Sequence, residues 1–143
     1  ATEVCERLGV ELVVQAIDWN AKEMELNNGN IDCIWNGMTV TEERMQDMYL
    51  TKPYLNNRQV VIVEKSSGIE TLDDLEGKTV GLQQGSSAEQ ALADSRVADI
   101  VGSVQTYADN VTAFMDLQNG RIDAFLVDEV AGNYIVSNNG DVQ

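Results

Sequence analysis

The chain has 143 residues and 43% apolar content, enough for one ordinary domain or two small lobes. Its 24 acidic residues against 9 Lys and Arg give a net charge of −15, which repels phosphate backbones and argues against nucleic acid as a partner. Histidine is absent, which removes Ser-His-Asp and Cys-His nucleophiles, HExxH zinc sites and most proton shuttles.

In chain order, Ala1–Leu8 reads as a helix with no basic-then-apolar leader before it. Val10–Ile17 is expected as a strand, and Asn20–Asn28 as a helix stopped by Gly29. Ile31–Trp35 reads as a short apolar strand, Thr41–Gln46 as a helical turn, and Gln59–Val63 as a strongly apolar strand. Thr71–Glu76 reads as a short helix with Thr71 and Asp74 at capping-box spacing. Thr79–Leu82 is a strand, and Ser86–Asp94 a helix with Ser86 as N-cap and Glu89 three residues on. Asp109–Asn119 is a helix between an Asp cap and Gly120, followed by a strand at Ile122–Val127 and a helix at Glu129–Ser137. Alternating β and α units predict an α/β fold with parallel sheets covered on both faces. No stretch reaches the roughly 18 apolar residues of a membrane span. Cys5 and Cys33 cannot build a zinc site by themselves, and they fit a disulfide and two thiols equally well.

The segment Leu26-Asn27-Asn28-Gly29-Asn30-Ile31-Asp32 recurs as Leu117-Gln118-Asn119-Gly120-Arg121-Ile122-Asp123. Each copy reads as a helix end, a glycine stop and an apolar strand, and the pair suggests two lobes of similar build. Ligands of open parallel sheets sit beyond the carboxyl ends of strands. That points to Asn36-Gly37-Met38-Thr39 after the first copy and Asp128-Glu129 after the second, lining one cleft if the lobes face each other.

Several residues there could contact a carboxylate or an ammonium group. Gly37 allows close backbone approach, Thr39 offers a hydroxyl and an amide, and Arg44 can reach back over its helix start as a carboxylate fork. A capped helix with a surface arginine fits the same pattern. Gln83-Gln84-Gly85-Ser86-Ser87 is a glycine loop entering a helix, whose free amides suit an anion or merely an N-cap; it lacks the Gly-Lys-Ser/Thr of a P-loop. Asp128 directly follows an apolar strand, where a carboxylate can take an ammonium or cap the next helix. It and Glu129 are too close in sequence to flank a glycosidic bond. Trp19 can wall a pocket, stack on a cation or simply fill core. The tail Ser137–Asp141 lacks the spaced acids of a calcium loop, and no metal or cofactor is called for.

The runs Ile31–Arg44 (IDCIWNGMTVTEER), Tyr54–Val63 after Lys52-Pro53, Leu72–Gly81, Gln84–Ser87 and Asp123–Glu129 together resemble the polar-amino-acid solute-binding proteins of ABC importers, family 3. The resemblance implies a periplasmic-binding-protein-like fold: two α/β lobes around a ligand cleft, with no catalysis and no cofactor. It implies Arg44 as the clamp on the ligand α-carboxylate, with Asn36, Gly37 and Thr39 beside it. Ser87 with Ser86 would be the second lobe's carboxylate contact, Asp128 the ammonium acceptor, Trp19 an aromatic beside the ligand, and Gln83 a side-chain reader. It further implies a free amino acid and a membrane permease as partners. The location would be extracytoplasmic, in a periplasm or lipid-anchored at a Gram-positive surface. The same fold also serves as the sensing input domain of membrane receptors, and a few relatives are dehydratases acting on cyclic amino acids.

Residues 1–57 are expected to form a partial first lobe, and 58–143 a crossover strand and the second lobe. Against the family pattern the chain reads as a fragment. The strand expected before Ala1–Leu8 and the return crossing after Gln143 are not in it, so self-association and weak binding are expected of it.

Overall fold

The computed structural model describes all residues, Ala1–Gln143. Its sheet is built entirely from the second part of the chain, in the order β1-β4-β2-β3. The strands are β1 (Gln59–Ile62), β2 (Thr79–Gln83), β3 (Ser103–Tyr107) and β4 (Ala124–Asp128). β2 pairs in parallel with both β3 and β4, while β1 runs antiparallel to β4, with Gln59 opposite Asp128. The sheet is therefore mixed rather than wholly parallel, because β1 enters without a preceding crossover helix.

β4 separates the two faces of the core. Ala124 and Leu126 pack with Val80, Leu82, Ala88 and Leu92 on one face; Phe125 and Val127 pack with Ile62, Ala113, Leu117 and Ile122 on the other. This is the period-2 alternation of a strand buried on both sides. Helix α4 (Ser87–Ala93) covers the first face, and α5 (Asn110–Gln118) and α6 (Glu129–Asn138) cover the second. The caps are those expected from sequence: Ser86 Oγ accepts from Ala88 N, and Asp109 Oδ1 from Thr112 N. Glu89 reaches back to Gly85 N, one residue before the cap. The Thr71–Asp74 capping box forms, but the turn it caps is a 3-10 helix, Leu72–Leu75.

Residues 1–57 behave differently. They hold α1 (Thr2–Leu8), a 3-10 turn at Trp19–Ala21, α2 (Lys22–Asn27) and α3 (Glu42–Asp47). The expected strands at Val10–Ile17 and Ile31–Trp35 do not form. Both segments carry the right residues, but no other segment lies alongside to complete a ladder, and an extended segment without a partner is not a strand. Val13 and Val14 consequently stand 76% and 86% exposed. The expected helix at Asn20–Asn28 begins later, at Lys22. Cys5 and Cys33 are free thiols.

The repeated segment does produce the same local structure twice. Gly29 and Gly120 adopt φ of 71° and 66°, a conformation glycine takes without a Cβ clash. In each copy two backbone bonds close the helix: Gly29 N to Leu26 O and Asn30 N to Glu25 O, then Gly120 N to Leu117 O and Arg121 N to Asp116 O. This is the Schellman arrangement. The likeness extends to side chains, since Asn30 bonds Glu25 and Arg121 bonds Asp116, each five residues back. Only the second copy continues into a paired strand.

A cleft between the first 57 residues and the sheet

A cleft of about 530 Å³ opens beyond the carboxyl ends of β2 and β4. All nine residues singled out from sequence line it: Trp19, Asn36, Gly37, Thr39, Arg44, Gln83, Ser86, Ser87 and Asp128. Residues not anticipated join them, among them Gln59, Asn110 and Tyr134.

Arg44 lies in the first turns of α3, capped by Thr41, whose hydroxyl accepts from Arg44 N. It is buried rather than superficial, at 8% exposure. Its guanidinium donates from Nη1 to Thr39 O at 2.9 Å and from Nη2 to Gly85 O at 3.3 Å. Two backbone carbonyls thus orient the fork, and no carboxylate pairs with it. Lys22, 5% exposed, also donates to Gly85 O, at 3.4 Å, and pairs with Glu23 at 2.9 Å. Both cations lie over the Trp19 ring, at 5.1 Å for Lys22 and 6.0 Å for Arg44. Trp19 is therefore held by cations and lines the cleft rather than joining either apolar cluster. Within residues 1–57 the two buried side chains are these two cations.

Gly85 is one of the points where the two parts touch. Its φ is 67°, and a Cβ there would stand 2.9 Å from Asn20 Oδ1. Beside it Thr39 Oγ1 and Ser87 Oγ are hydrogen-bonded at 3.0 Å across the cleft. Asn36 is turned inward on its own loop, accepting from Met38 N. Gln83 donates to Ala108 O and accepts from Asn110, which fixes its amide at the cleft wall.

Asp128 occupies the N-cap position of α6, yet its carboxylate accepts no bond from that helix. Instead Oδ1 accepts from Asn57 Nδ2 at 2.8 Å and from Gln59 Nε2 at 2.6 Å. Neither donor is charged, and no cation pairs with the carboxylate. The neighbouring Glu129 is directed elsewhere, to Arg58 at 2.7 Å. Asn57 Oδ1 is buried without a partner. Gln59 was legible only as the polar first residue of an apolar strand; its register opposite Asp128 gives it a place in the site.

A mixed α/β layer with a cleft at its strand ends is a periplasmic-binding-protein-like architecture, and here the cleft is lined by one arginine and one aspartate. The chain superposes on a histidine-bound ABC uptake transporter substrate-binding protein from Streptococcus pneumoniae with a TM-score of 0.91 and 40% identity, over 99% of this chain and 61% of that one. It belongs to the bacterial extracellular solute-binding proteins, family 3, whose model matches residues 1–128. Among curated relatives, the L-cystine-binding protein TcyJ of Escherichia coli K12 is 34% identical over 143 residues, 99% of this chain and 53% of that protein. The lysine/arginine/ornithine-binding periplasmic protein of the same organism is 34% identical over 132 residues, 92% of this chain and 50% of that protein. The chain thus spans about half the length of these relatives. The family places it outside the cytoplasm.

Proposed function

We propose that the cleft binds the zwitterionic head of a polar amino acid, and that the full-length protein is the amino-acid-capturing component of an ABC importer, delivering its ligand to a membrane permease. One observation carries this reading: the cleft lining holds a single cation and a single carboxylate, Arg44 and Asp128, and neither has a charged partner. A buried guanidinium without a counter-ion is costly, and an entering carboxylate removes that cost. An ammonium does the same for Asp128. A ligand carrying both groups on one carbon meets both needs at once.

The roles follow from chemistry. Arg44 has used two of its five donors on carbonyls, leaving the rest of the fork for two carboxylate oxygens. Thr39 and Ser87 add hydroxyls, with Asn36, Gly37 and Ser86 beside them. Gln83, Asn110 and Tyr134 provide uncharged polar groups for a polar side chain, and Trp19 a flat apolar wall. Nothing in this reading transforms the ligand, because the cleft's one carboxylate is committed to the ammonium. We also propose residues 1–57 as the first lobe and 58–143 as crossover strand and second lobe, since both apolar clusters draw only on the latter.

The test is a thermal-shift screen of the amino acids on the full-length protein, followed by calorimetry. A true ligand at about 100 times its Kd adds roughly 2.7 kcal/mol of stability. A screen in which no amino acid raises the melting temperature would sink the reading.

A further inference from the structure

Gln59 Nε2 donates two bonds, to Asp128 Oδ1 at 2.6 Å and to Ser87 Oγ at 3.0 Å. Ser87 Oγ in turn meets Thr39 Oγ1 at 3.0 Å, and the carbonyl of Thr39 accepts from Arg44 Nη1 at 2.9 Å. Hydrogen bonds therefore link the cleft's carboxylate through Gln59 and Ser87 to the Thr39 hydroxyl, while the backbone carbonyl of the same threonine holds the guanidinium. The amide can face only one way: its oxygen turned to Asp128 would set two acceptors against each other, while the nitrogen has two protons for two acceptors. With Asn57 also on Oδ1, both donors occupy the same carboxylate oxygen, and Asp128 Oδ2 has no partner.

We propose that Gln59 is a positioning residue for this cleft, acting through Asp128 and Ser87. Its bond to Oδ1 turns the carboxylate so that the free Oδ2 faces the ammonium. Its second bond fills one lone pair of Ser87, so the serine proton is directed toward Thr39 or the ligand carboxylate. The amide is neutral and leaves the negative charge of Asp128 available. A basic residue at position 59 would cancel that charge; an acidic one would repel it. Register explains why this position serves: Gln59 stands opposite Asp128 in the β1–β4 ladder, so the two side chains share one sheet face at the cleft.

The proposal rests on the reading that the cleft holds an α-amino acid, and its test separates the two. In the full-length protein, Gln59→Met removes both donors at similar volume. It should weaken the best amino acid of the screen by about tenfold, the order expected for losing a hydrogen bond to a charged group. It should cost far less for the same ligand lacking its amine. In an Asp128→Asn background the substitution should cost little, because its main route of action is gone. Gln59→Glu should weaken binding more than Met. Independently of ligand, the side-chain amide resonances of Gln59 should shift on Asp128→Asn and on Ser87→Ala. Equal losses in both backgrounds and for both ligands, or amide resonances indifferent to Asp128 and Ser87, would overturn the positioning role while leaving the cleft an amino-acid site. If the wild-type protein binds no amino acid, the reading and the positioning role both fail.

Discussion

Arg44 owes its place to a short helix start. Thr41 caps α3, and the arginine three residues on folds back to the carbonyl of Thr39. Lysine keeps the charge but not the planar fork, so Arg44→Lys in the full-length protein should weaken amino-acid binding at least about tenfold. Calorimetry returning an unchanged Kd would remove Arg44 from the site. Gly85 makes a second claim at this scale. Its left-handed backbone, φ 67°, strains any residue with a Cβ, and that Cβ would press the Asn20 side-chain oxygen at 2.9 Å. Gly85→Ala should therefore separate the Arg44 and Lys22 donors from their shared carbonyl, costing roughly 1–2 kcal/mol for the backbone alone. Lower thermal stability together with lower affinity is the expected pair of results. Arg44, Gly37 and Asp128 carry local signals, a helix start, a glycine and a strand end, but each signal fits an ordinary cap or turn as well, and it was the family resemblance that implied a place in a site. Gln59 was not legible, because its partner stands 69 residues away and only the β1–β4 register joins them.

At the scale of elements, caps and stops were readable and pairing was not. Ser86, Asp109, Gly29 and Gly120 act on neighbours within five residues, so their roles follow from the chain itself. The strand at Ser103–Tyr107 went unrecognised because an edge strand exposes Ser103, Val104, Gln105 and Thr106 and needs no apolar alternation. Val10–Ile17 failed the opposite way, with strand composition and nothing to pair with. The junction of β3, α5 and β4 offers a titration test. Arg121, then Tyr107, hydrogen-bond the Asp116 carboxylate and hold it below its ordinary 3.8. A depressed acid stabilises the fold above its unfolded pKa, and that contribution disappears as pH falls through the folded value. The stability advantage of wild type over Asp116→Asn should thus be full at neutral pH and vanish in acid below about 3.8, as urea melts at stepped pH would read. On the alkaline side, burial and then Asp116 push the Tyr107 hydroxyl from 10.0 up to about 12. Its contribution is constant below pH 10 and lost as pH rises toward 12, with a phenolate absorbance step near the upper value.

Taken whole, the α/β class and the cleft's position at strand ends followed from alternation and from the repeated helix stop. The mixed sheet did not, since strand direction depends on connections that composition does not encode. Close packing of α6 on β1 is another property of the assembled molecule: a Cβ on Gly132 would come within 2.8 Å of Val60 Cγ2. Gly132→Val should cost about 1–3 kcal/mol by overpacking and lower the melting temperature. A variant as stable as wild type would mean that α6 slides freely on the sheet.

The first 57 residues meet the sheet layer through hydrogen bonds, at Gly85, Ser87 and Asp128, and contribute no side chain to either apolar cluster. Heat capacity follows exposed apolar surface. Parting these two regions should therefore leave almost no calorimetric trace, whereas melting the sheet should carry nearly all of it. Any opening of the cleft should thus be thermally silent, with the temperature dependence of stability set elsewhere, in the two layers on either side of β4.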